Sequence, residues 1–236
     1  LARRMTVTAT QAPDTDWYVA RLYGFARALG ASILRPRHSR YVVDLNRPSD
    51  DVSLYPGQNS TGLCPVVQFS GEPVYLPDQA PAIEEIAARV AIYWTPYHDA
   101  LTAELARLQG LFGRMVLWEG HSIRGELPFL FDGRLPDLNL GTAAGASCSP
   151  GLQTRLAAVL AGQAAYSQTV NGRFKGGYIT RNYGAPARGV EAVQLELAQS
   201  TYMDEDSRTY LPERAEALQR QVLRPLLETA LACVAG

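Results

Sequence analysis

Segments with the pattern of β-strands alternate with segments with the pattern of α-helices along the whole chain. Val193, Leu195 and Leu197 alternate with polar residues, which is typical of a strand, and residues 115–118 form a short apolar run. Residues 212–234 repeat their apolar side chains at helical spacing. Further strands are predicted at 32–34, 41–45, 138–140 and 166–170, and further helices at 14–29, at 81–109 with a kink or break at Pro96, and at 152–160. This alternation predicts an α/β fold in which helices cover both faces of a sheet.

The composition favours one ordinary globular domain over residues 1–236. Apolar residues make up 47% and the formal net charge is −1, which argues against a disordered chain and against a nucleic-acid-binding surface. The chain has no run of about eighteen apolar residues that would cross a membrane, and no apolar segment near Leu1 that would make a signal peptide. Residues 46–79 and 172–189 are rich in loop-forming residues, so long irregular loops are expected there. The chain does not begin with methionine, and we expect residues upstream of it.

The cysteines give little support for a disulfide framework. Cys64, Cys148 and Cys233 are odd in number and far apart, and no CxxC pair occurs. This pattern predicts reduced thiols that act as small buried apolar groups, in a cytoplasmic protein. It also excludes a zinc site built from cysteine.

Three kinds of polar side chain are candidates for catalysis or metal binding. His121 follows a predicted buried strand, where ligands bind in α/β sheets, and its imidazole would bind a metal or move protons, or else only hydrogen-bond the loop. Glu196 lies on the polar face of a predicted strand and is either a general base or a solvent-facing residue on an edge strand. Asp14 and Asp16 stand at the start of a predicted helix, where capping alone explains a carboxylate.

Arginine is the dominant basic residue and clusters near a predicted strand, near His121 and near the glycine-rich loop. Because arginine forms bidentate pairs with carboxylates, the pattern favours recognition of a small acidic substrate, with ordinary surface charge as the alternative for each residue. The P-loop, the Rossmann glycine fingerprint, the GxSxG elbow and the HExxH helix are all absent from the sequence. Their absence argues against nucleotide binding, hydride transfer and serine hydrolysis.

Six ordered motifs, from about Asp14 to about Asp204, resemble those of the N-formylglutamate amidohydrolases. They are SRYVVDLNRP at 39–48, LYPGQNSTGLCP at 54–65, GHSIR at 120–124, FDGRLPDLNLG at 131–141, NGRFKGGYITR at 171–181 and QLELAQ at 194–199. The resemblance implies a zinc-carboxypeptidase-like α/β fold with a mixed sheet. It also implies hydrolysis of N-formyl-L-glutamate to formate and L-glutamate, the last step of one bacterial route of histidine degradation.

The same resemblance implies roles for individual residues. One divalent metal ion, expected to be Zn²⁺, would be bound by His121 and by Asp16, with Asp14 as the alternative ligand. Glu196 would take a proton from a metal-activated water and pass it to the leaving amine, and Arg124 would stabilise the oxyanion. The residues expected to bind the substrate are Arg40, Asn46, Arg47, Arg173, Tyr178 and Arg181.

The sequence departs from the family pattern at several positions. The family's Pro-His-x-Gly motif, whose histidine is expected to bind the metal, is absent, and we expect an upstream truncation rather than a rewired site. His121 and one carboxylate leave a catalytic zinc short of its usual three protein ligands. Tyr18 and Asn182 stand where histidine is common, His38 where tyrosine is common, and Glu119 where aspartate is common.

Two other functions stay open from the sequence. One is a related metal-dependent amidase or carboxypeptidase-like hydrolase that acts on another N-acyl amino acid. The other is a non-catalytic protein that binds an acidic ligand. In each case the expected partner is a small molecule, a dicarboxylate in the favoured interpretation, with no nucleic acid and no membrane. The sequence does not indicate an oligomeric state.

Overall fold

The computed structural model describes residues 1–235, which group into two compact units. The first unit contains Leu1–Thr15, Pro36–Glu104 and Glu126–Arg134. The second unit contains Asp16–Arg35, Leu105–Gly125 and the chain from Leu135 onwards. The single domain expected over residues 1–236 stays a prediction.

Helices and strands alternate mainly in the second half of the chain. The α-helices are α1 (Val7–Thr10), α2 (Val19–Leu22), α3 (Ile83–Arg89), α4 (Thr95–Phe112), α5 (Pro150–Ala161), α6 (Tyr178–Tyr183), α7 (Pro212–Leu218) and α8 (Arg224–Val234). The strands are β1 (Met115–Ile123), β2 (Leu138–Gly141), β3 (Gln168–Val170), β4 (Val190–Ala198), β5 (Met203–Asp204) and β6 (Thr209–Tyr210). Short 3₁₀-helices occur at Ala2–Arg4, Tyr23–Leu29, Ala143–Gly145, Pro186–Arg188 and Gln199–Thr201, and π-helical turns at Val90–Trp94 and Gln219–Leu223.

A four-stranded mixed sheet forms the centre of the second unit. Its strand order is β1-β4-β2-β3, with β1 parallel to β4, β4 antiparallel to β2, and β2 parallel to β3. Strands β5 and β6 form a separate antiparallel pair. The expected α/β class with a mixed sheet is therefore confirmed.

The two faces of β4 have different chemistry because successive side chains of a strand point to opposite faces. Val193, Leu195 and Leu197 are fully buried in the main apolar core. Leucines of β2 and of the helices complete this core, at Leu138, Leu140, Leu152, Leu156, Leu160, Leu218 and Leu226. Burying each leucine contributes roughly 1.5–3 kcal/mol, so this face holds the sheet to its helices. The opposite face of β4 carries polar side chains, and β4 is buried along its whole length.

The strand predicted at residues 41–45, in the first unit, does not form. The strand expected there is a turn, in which the Val42 N–H donates to the Ser39 carbonyl. The Arg89 guanidinium donates to the carbonyls of Tyr41 and Val42. These carbonyls are therefore hydrogen-bonded to an arginine side chain and not to a neighbouring strand. The strand expected at 32–34, in the second unit, is also wrong, since this segment is irregular. Residues 46–79 contain neither helix nor strand, as predicted.

The helix predictions differ from the structure in three details. The helix expected over 14–29 begins only at Val19, because Tyr18 has a left-handed φ of 60°, and it ends as a 3₁₀-helix at Gly30. Helices α3 and α4 are joined without a break by a π-helical turn that precedes Pro96. The loop expected at 172–189 contains α6. Within residues 1–235, no helix is long and apolar enough to cross a membrane.

Candidate active site

The polar face of the central sheet is formed by five side chains on three neighbouring strands. Glu119 and His121 lie on β1, Gln194 and Glu196 on β4, and Asn139 on β2. The register pairs Glu119 with Gln194, and it pairs Glu196 with both His121 and Asn139. Because paired residues of neighbouring strands point to the same face, these side chains form one contiguous group, called here the polar ladder.

His121 is bound by a carboxylate at each ring nitrogen. Its Nδ1 lies 3.1 Å from Oδ1 of Asp16, and its Nε2 lies 2.7 Å from Oε1 of Glu119. Asp16 also accepts a 2.8 Å hydrogen bond from the backbone N–H of Ser122, the residue after His121. The imidazole is therefore fixed in both position and orientation.

The electrostatic environment of His121 favours its protonated form. Burial by itself lowers the pKa of the imidazole. The negative charges and hydrogen bonds of Asp16 and Glu119 outweigh that effect and raise the pKa well above its ordinary value of 6.5.

The first turn of α6 and the residue before it bind two members of the polar ladder. The Thr180 hydroxyl donates to Oε2 of Glu119 at 2.6 Å, and the Gly177 N–H donates to Oε1 of Gln194 at 2.7 Å. Gln194 in turn donates through Nε2 to Oε2 of Glu196 at 3.3 Å. Glu119, Gln194 and Glu196 are all more than nine-tenths buried.

Glu196 occupies a position that suits a general base rather than an exposed surface carboxylate. Its strand lies between β1 and β2, so the alternative of an edge strand facing solvent is wrong. Asn139 donates to the backbone carbonyl of Glu196 at 3.2 Å and to that of Pro136 at 2.7 Å. The β4 backbone at Glu196 is thus bonded to a side chain of β2 as well as to the sheet.

The chain provides only part of the metal site that the resemblance implies. Asp16 and His121 carry zinc-type donor atoms and lie in contact. Within residues 1–235, however, no group of three His, Cys, Asp or Glu side chains is placed to hold a metal ion. A catalytic zinc uses three protein ligands, so these residues do not complete such a site. The alternative ligand, Asp14, belongs to the first unit, where its Oδ2 accepts from the Tyr41 hydroxyl and the Phe69 N–H.

Three of the predicted substrate-binding residues, Arg40, Asn46 and Arg47, lie in the first unit. Arg47 donates through Nε to the Thr61 carbonyl at 2.8 Å, and its two Nη atoms take no hydrogen-bond partner among residues 1–235. The half-buried Arg47 therefore keeps donors available for a carboxylate. Arg40 lies 3.6 Å from the Asp44 carboxylate and over the Phe69 ring.

The other predicted arginines lie in the second unit. The Arg124 guanidinium donates to the Glu205 carbonyl and to the Asp206 carboxylate. Arg181 donates through Nε to the Gly176 carbonyl at 2.8 Å, and Tyr178 begins α6. Arg173 lies with its guanidinium 5.4 Å from the centre of the Phe174 ring. Their predicted roles stay predictions.

Some side chains on and around the polar ladder were not predicted from the sequence. Gln194 and Asn139 were not candidates, and neither was Thr180 on α6. The alternation in β4 places Gln194 on the face of Glu196, so that signal was available. Nothing in the local sequence predicted that α6 would bind this face.

The comparisons with known proteins agree on one family. The profile of the family described as N-formylglutamate amidohydrolase matches residues 1–203. The N-formylglutamate deformylase of Pseudomonas aeruginosa is 57% identical over 220 residues, which cover 93% of this chain and 82% of that protein. The N-formylglutamate deformylase of Pseudomonas putida is 52% identical over 225 residues, covering 95% of this chain and 84% of the relative.

Solved structures support the same fold. The crystal structure of N-formylglutamate amidohydrolase from Ralstonia eutropha JMP134 matches with a TM-score of 0.81 at 25% identity, covering 97% of this chain and 86% of that one. A gene product of Agrobacterium tumefaciens matches with a TM-score of 0.62 at 22% identity, covering 91% of this chain and 78% of that one. The second match bears on the fold alone.

Proposed function

The chain belongs to the N-formylglutamate amidohydrolase family, and from that premise we propose that it hydrolyses N-formyl-L-glutamate to formate and L-glutamate. The structural observation that carries the proposal is the pairing of His121 with Glu196 across parallel strands on a buried polar face. The curated relatives, which are N-formylglutamate deformylases by name, support the choice of substrate.

Glu196 is the proposed general base. Its carboxylate accepts a proton from a water molecule as the water oxygen attacks the formyl carbon. The carbon–nitrogen bond then breaks, and the proton passes from Glu196 to the departing amine nitrogen of glutamate. The oxygen atom gained from water stays in formate, so one carboxyl group serves first as a base and then as an acid.

The remaining assigned residues bind and orient the substrate in this proposal. Arg47 is supported by its two unpartnered Nη atoms, which suit a bidentate pair with a carboxylate. The roles of Arg124 in stabilising the oxyanion, and of the other substrate-binding residues, rest on the resemblance. They are Arg40, Asn46, Arg173, Tyr178 and Arg181.

The test is formate release from N-formyl-L-glutamate by the purified chain. Glu196→Gln should abolish turnover while the substrate still binds, because glutamine has a similar shape but does not accept the proton. The exposed Glu228, on α8, offers a matched control, and Glu228→Gln should keep the wild-type rate. Full turnover in Glu196→Gln would contradict the assignment of the base.

The zinc ion stays a proposal, with Asp16 and His121 as two of its ligands. If bound there, zinc would supply an activated water at neutral pH. After incubation with Zn²⁺, metal analysis should find less zinc in His121→Ala than in the wild-type chain, since a lost ligand weakens a metal site. His38 is exposed and serves as the control, and His38→Ala should retain the metal. Equal metal content in both variants would refute the ligand role of His121.

A cytoplasmic location is also proposed. It is supported by the free thiols of Cys64, Cys148 and Cys233, since secreted proteins commonly oxidise their cysteines. Cell fractionation tests it, and recovery of the protein in an extracellular fraction would contradict it.

A further inference from the structure

Gln194 connects the proposed general base to the start of α6. Its Oε1 accepts a 2.7 Å hydrogen bond from the Gly177 N–H, and its Nε2 donates to Oε2 of Glu196 at 3.3 Å. The backbone N–H of Gly177 is a donor only, so the oxygen of the amide must face it. The amide nitrogen consequently faces the Glu196 carboxylate, where it is the donor.

The surroundings of Gln194 bury its side chain and supply partners for both ends of its amide. Gln194 is only 4% exposed and lies two residues before Glu196 on the same face of β4. In the register, it faces Glu119 on one side and Gly141 on the other. Gly141 has no side chain, and the Lys175–Gly176 backbone lies where its Cβ would be, next to the Gly177 N–H that bonds Gln194.

We propose that Gln194 is a positioning residue, which holds the Glu196 carboxylate in the orientation that accepts the proton from water. The inference rests on the proposed function, because it gives Gln194 a role only through Glu196. A general base works only within narrow limits of distance and angle. The Gly177–Gln194–Glu196 chain of hydrogen bonds supplies that constraint from the backbone of a neighbouring segment.

Two substitutions of similar size test whether the hydrogen bonds of Gln194, and not only its volume, matter for catalysis. Gln194→Met keeps a similar size and removes both hydrogen bonds. Gln194→Glu still accepts from the Gly177 N–H but replaces the amide donor that faces Glu196 with a second carboxyl group, which either repels the Glu196 carboxylate or shares its proton. Both variants should lower kcat about 10- to 100-fold, since misplacement by about 1 Å costs that much, and should leave KM within about threefold of wild type.

Gln68 provides the matched control in the first unit. It is 2% exposed and donates through Nε2 to the Thr8 hydroxyl at 3.1 Å and to the Pro73 carbonyl at 3.0 Å. Gln68→Met therefore loses a comparable buried amide and should lower Tm without changing kcat. Each variant is assayed for formate release and for thermal unfolding on the same sample.

The outcomes distinguish this inference from the proposed function. If wild type releases formate and either folded Gln194 variant keeps kcat within about twofold, the inference is wrong and the function stands. If Gln68→Met loses as much kcat as Gln194→Met at a similar Tm, the effect is one of stability and the inference is also wrong. A wild-type chain that releases no formate would overturn the function and the inference together.

Discussion

Single residues on the polar face satisfy one another's hydrogen bonds, so each depends on its neighbours. Asp16 accepts from the Ser122 N–H as well as contacting His121, and Glu119 accepts from the Thr180 hydroxyl as well as contacting His121. A buried polar atom that loses its partner costs about 1–3 kcal/mol. Removing any one member therefore disturbs the next, which keeps His121 in a single arrangement.

The buried thiols should be nearly inert in the folded protein. Burial, with a smaller effect of the Glu191 charge, raises the pKa of Cys148 to about 11, and burial also raises the pKa of Cys64. Little thiolate, the reactive form, then exists near pH 8. We expect a thiol reagent to label only the partly exposed Cys233 in the native chain and all three cysteines after unfolding.

Cys233→Ser is the control for the labelling experiment. It should remove the native signal and leave two thiols that react only in denaturant. Prompt reaction of Cys64 or Cys148 in the native chain would contradict the burial described here. Mass spectrometry of the labelled peptides identifies each site.

The residues of the site were predictable to different degrees for a physical reason. His121 and Glu196 sit in sequence motifs beside strands, so a local pattern pointed to both, and the register pairs them. Thr180 lies 61 positions from the carboxylate that it binds. A contact of that kind arises from tertiary packing, and neither propensity nor spacing along the chain encodes it.

At the scale of elements, the glycine-rich segment before α6 approaches β2 at backbone distance. A Cβ on Gly141 would lie 2.6 Å from the Gly176 nitrogen and 2.7 Å from the Lys175 carbonyl carbon. The Ala143 N–H donates to the Lys175 carbonyl at 2.5 Å, so this contact is bonded as well as close. The segment therefore reaches the sheet only because β2 ends in a glycine.

Gly141→Ala should destabilise the protein, because backbone atoms on the facing segment leave no room for the added methyl group. Overpacking of this kind typically costs about 1–3 kcal/mol in the free energy of unfolding. Gly24→Ala is the control, since a Cβ there meets nothing within 4 Å and the residue lies in the 3₁₀-helix at Tyr23–Leu29. Denaturant unfolding should find Gly24→Ala neutral or slightly stabilised. Equal stability of both variants would contradict the close approach at Gly141.

Elements with strong periodicity were predicted well, and elements built by side-chain contacts were not. The alternation in β4 and the helical spacing at 212–234 both correspond to observed elements. The apolar pattern at 41–45 is strand-like, yet Arg89 satisfies its carbonyls and the segment turns. Burial of Tyr41 and Val43 in two separate small clusters explains why that pattern is apolar without being a strand.

At the scale of the whole molecule, the order of helices and strands along the chain was enough to predict the α/β class. Ligand binding should also raise the thermal stability of the whole molecule. A ligand that binds only the folded state stabilises it by about 2.7 kcal/mol at one hundred times its Kd. In a chain of this length 1 kcal/mol corresponds to roughly 2–4 °C in Tm. We therefore expect N-formyl-L-glutamate at that excess to raise the Tm of Glu196→Gln by roughly 5–10 °C, since this variant binds without turnover.

The same measurement tests whether the substrate's carboxylates are recognised by arginine. Replacing Arg47 with lysine in the Glu196→Gln background removes the bidentate geometry and should shrink the Tm shift. Arg27 is exposed, and Arg27→Lys in the same background should leave the shift intact. N-formyl-L-leucine, which lacks the side-chain carboxylate, should produce a smaller shift in the Glu196→Gln protein. An equal shift with both ligands would mean that the side-chain carboxylate contributes nothing to binding, and the assignment of a dicarboxylate substrate would be wrong.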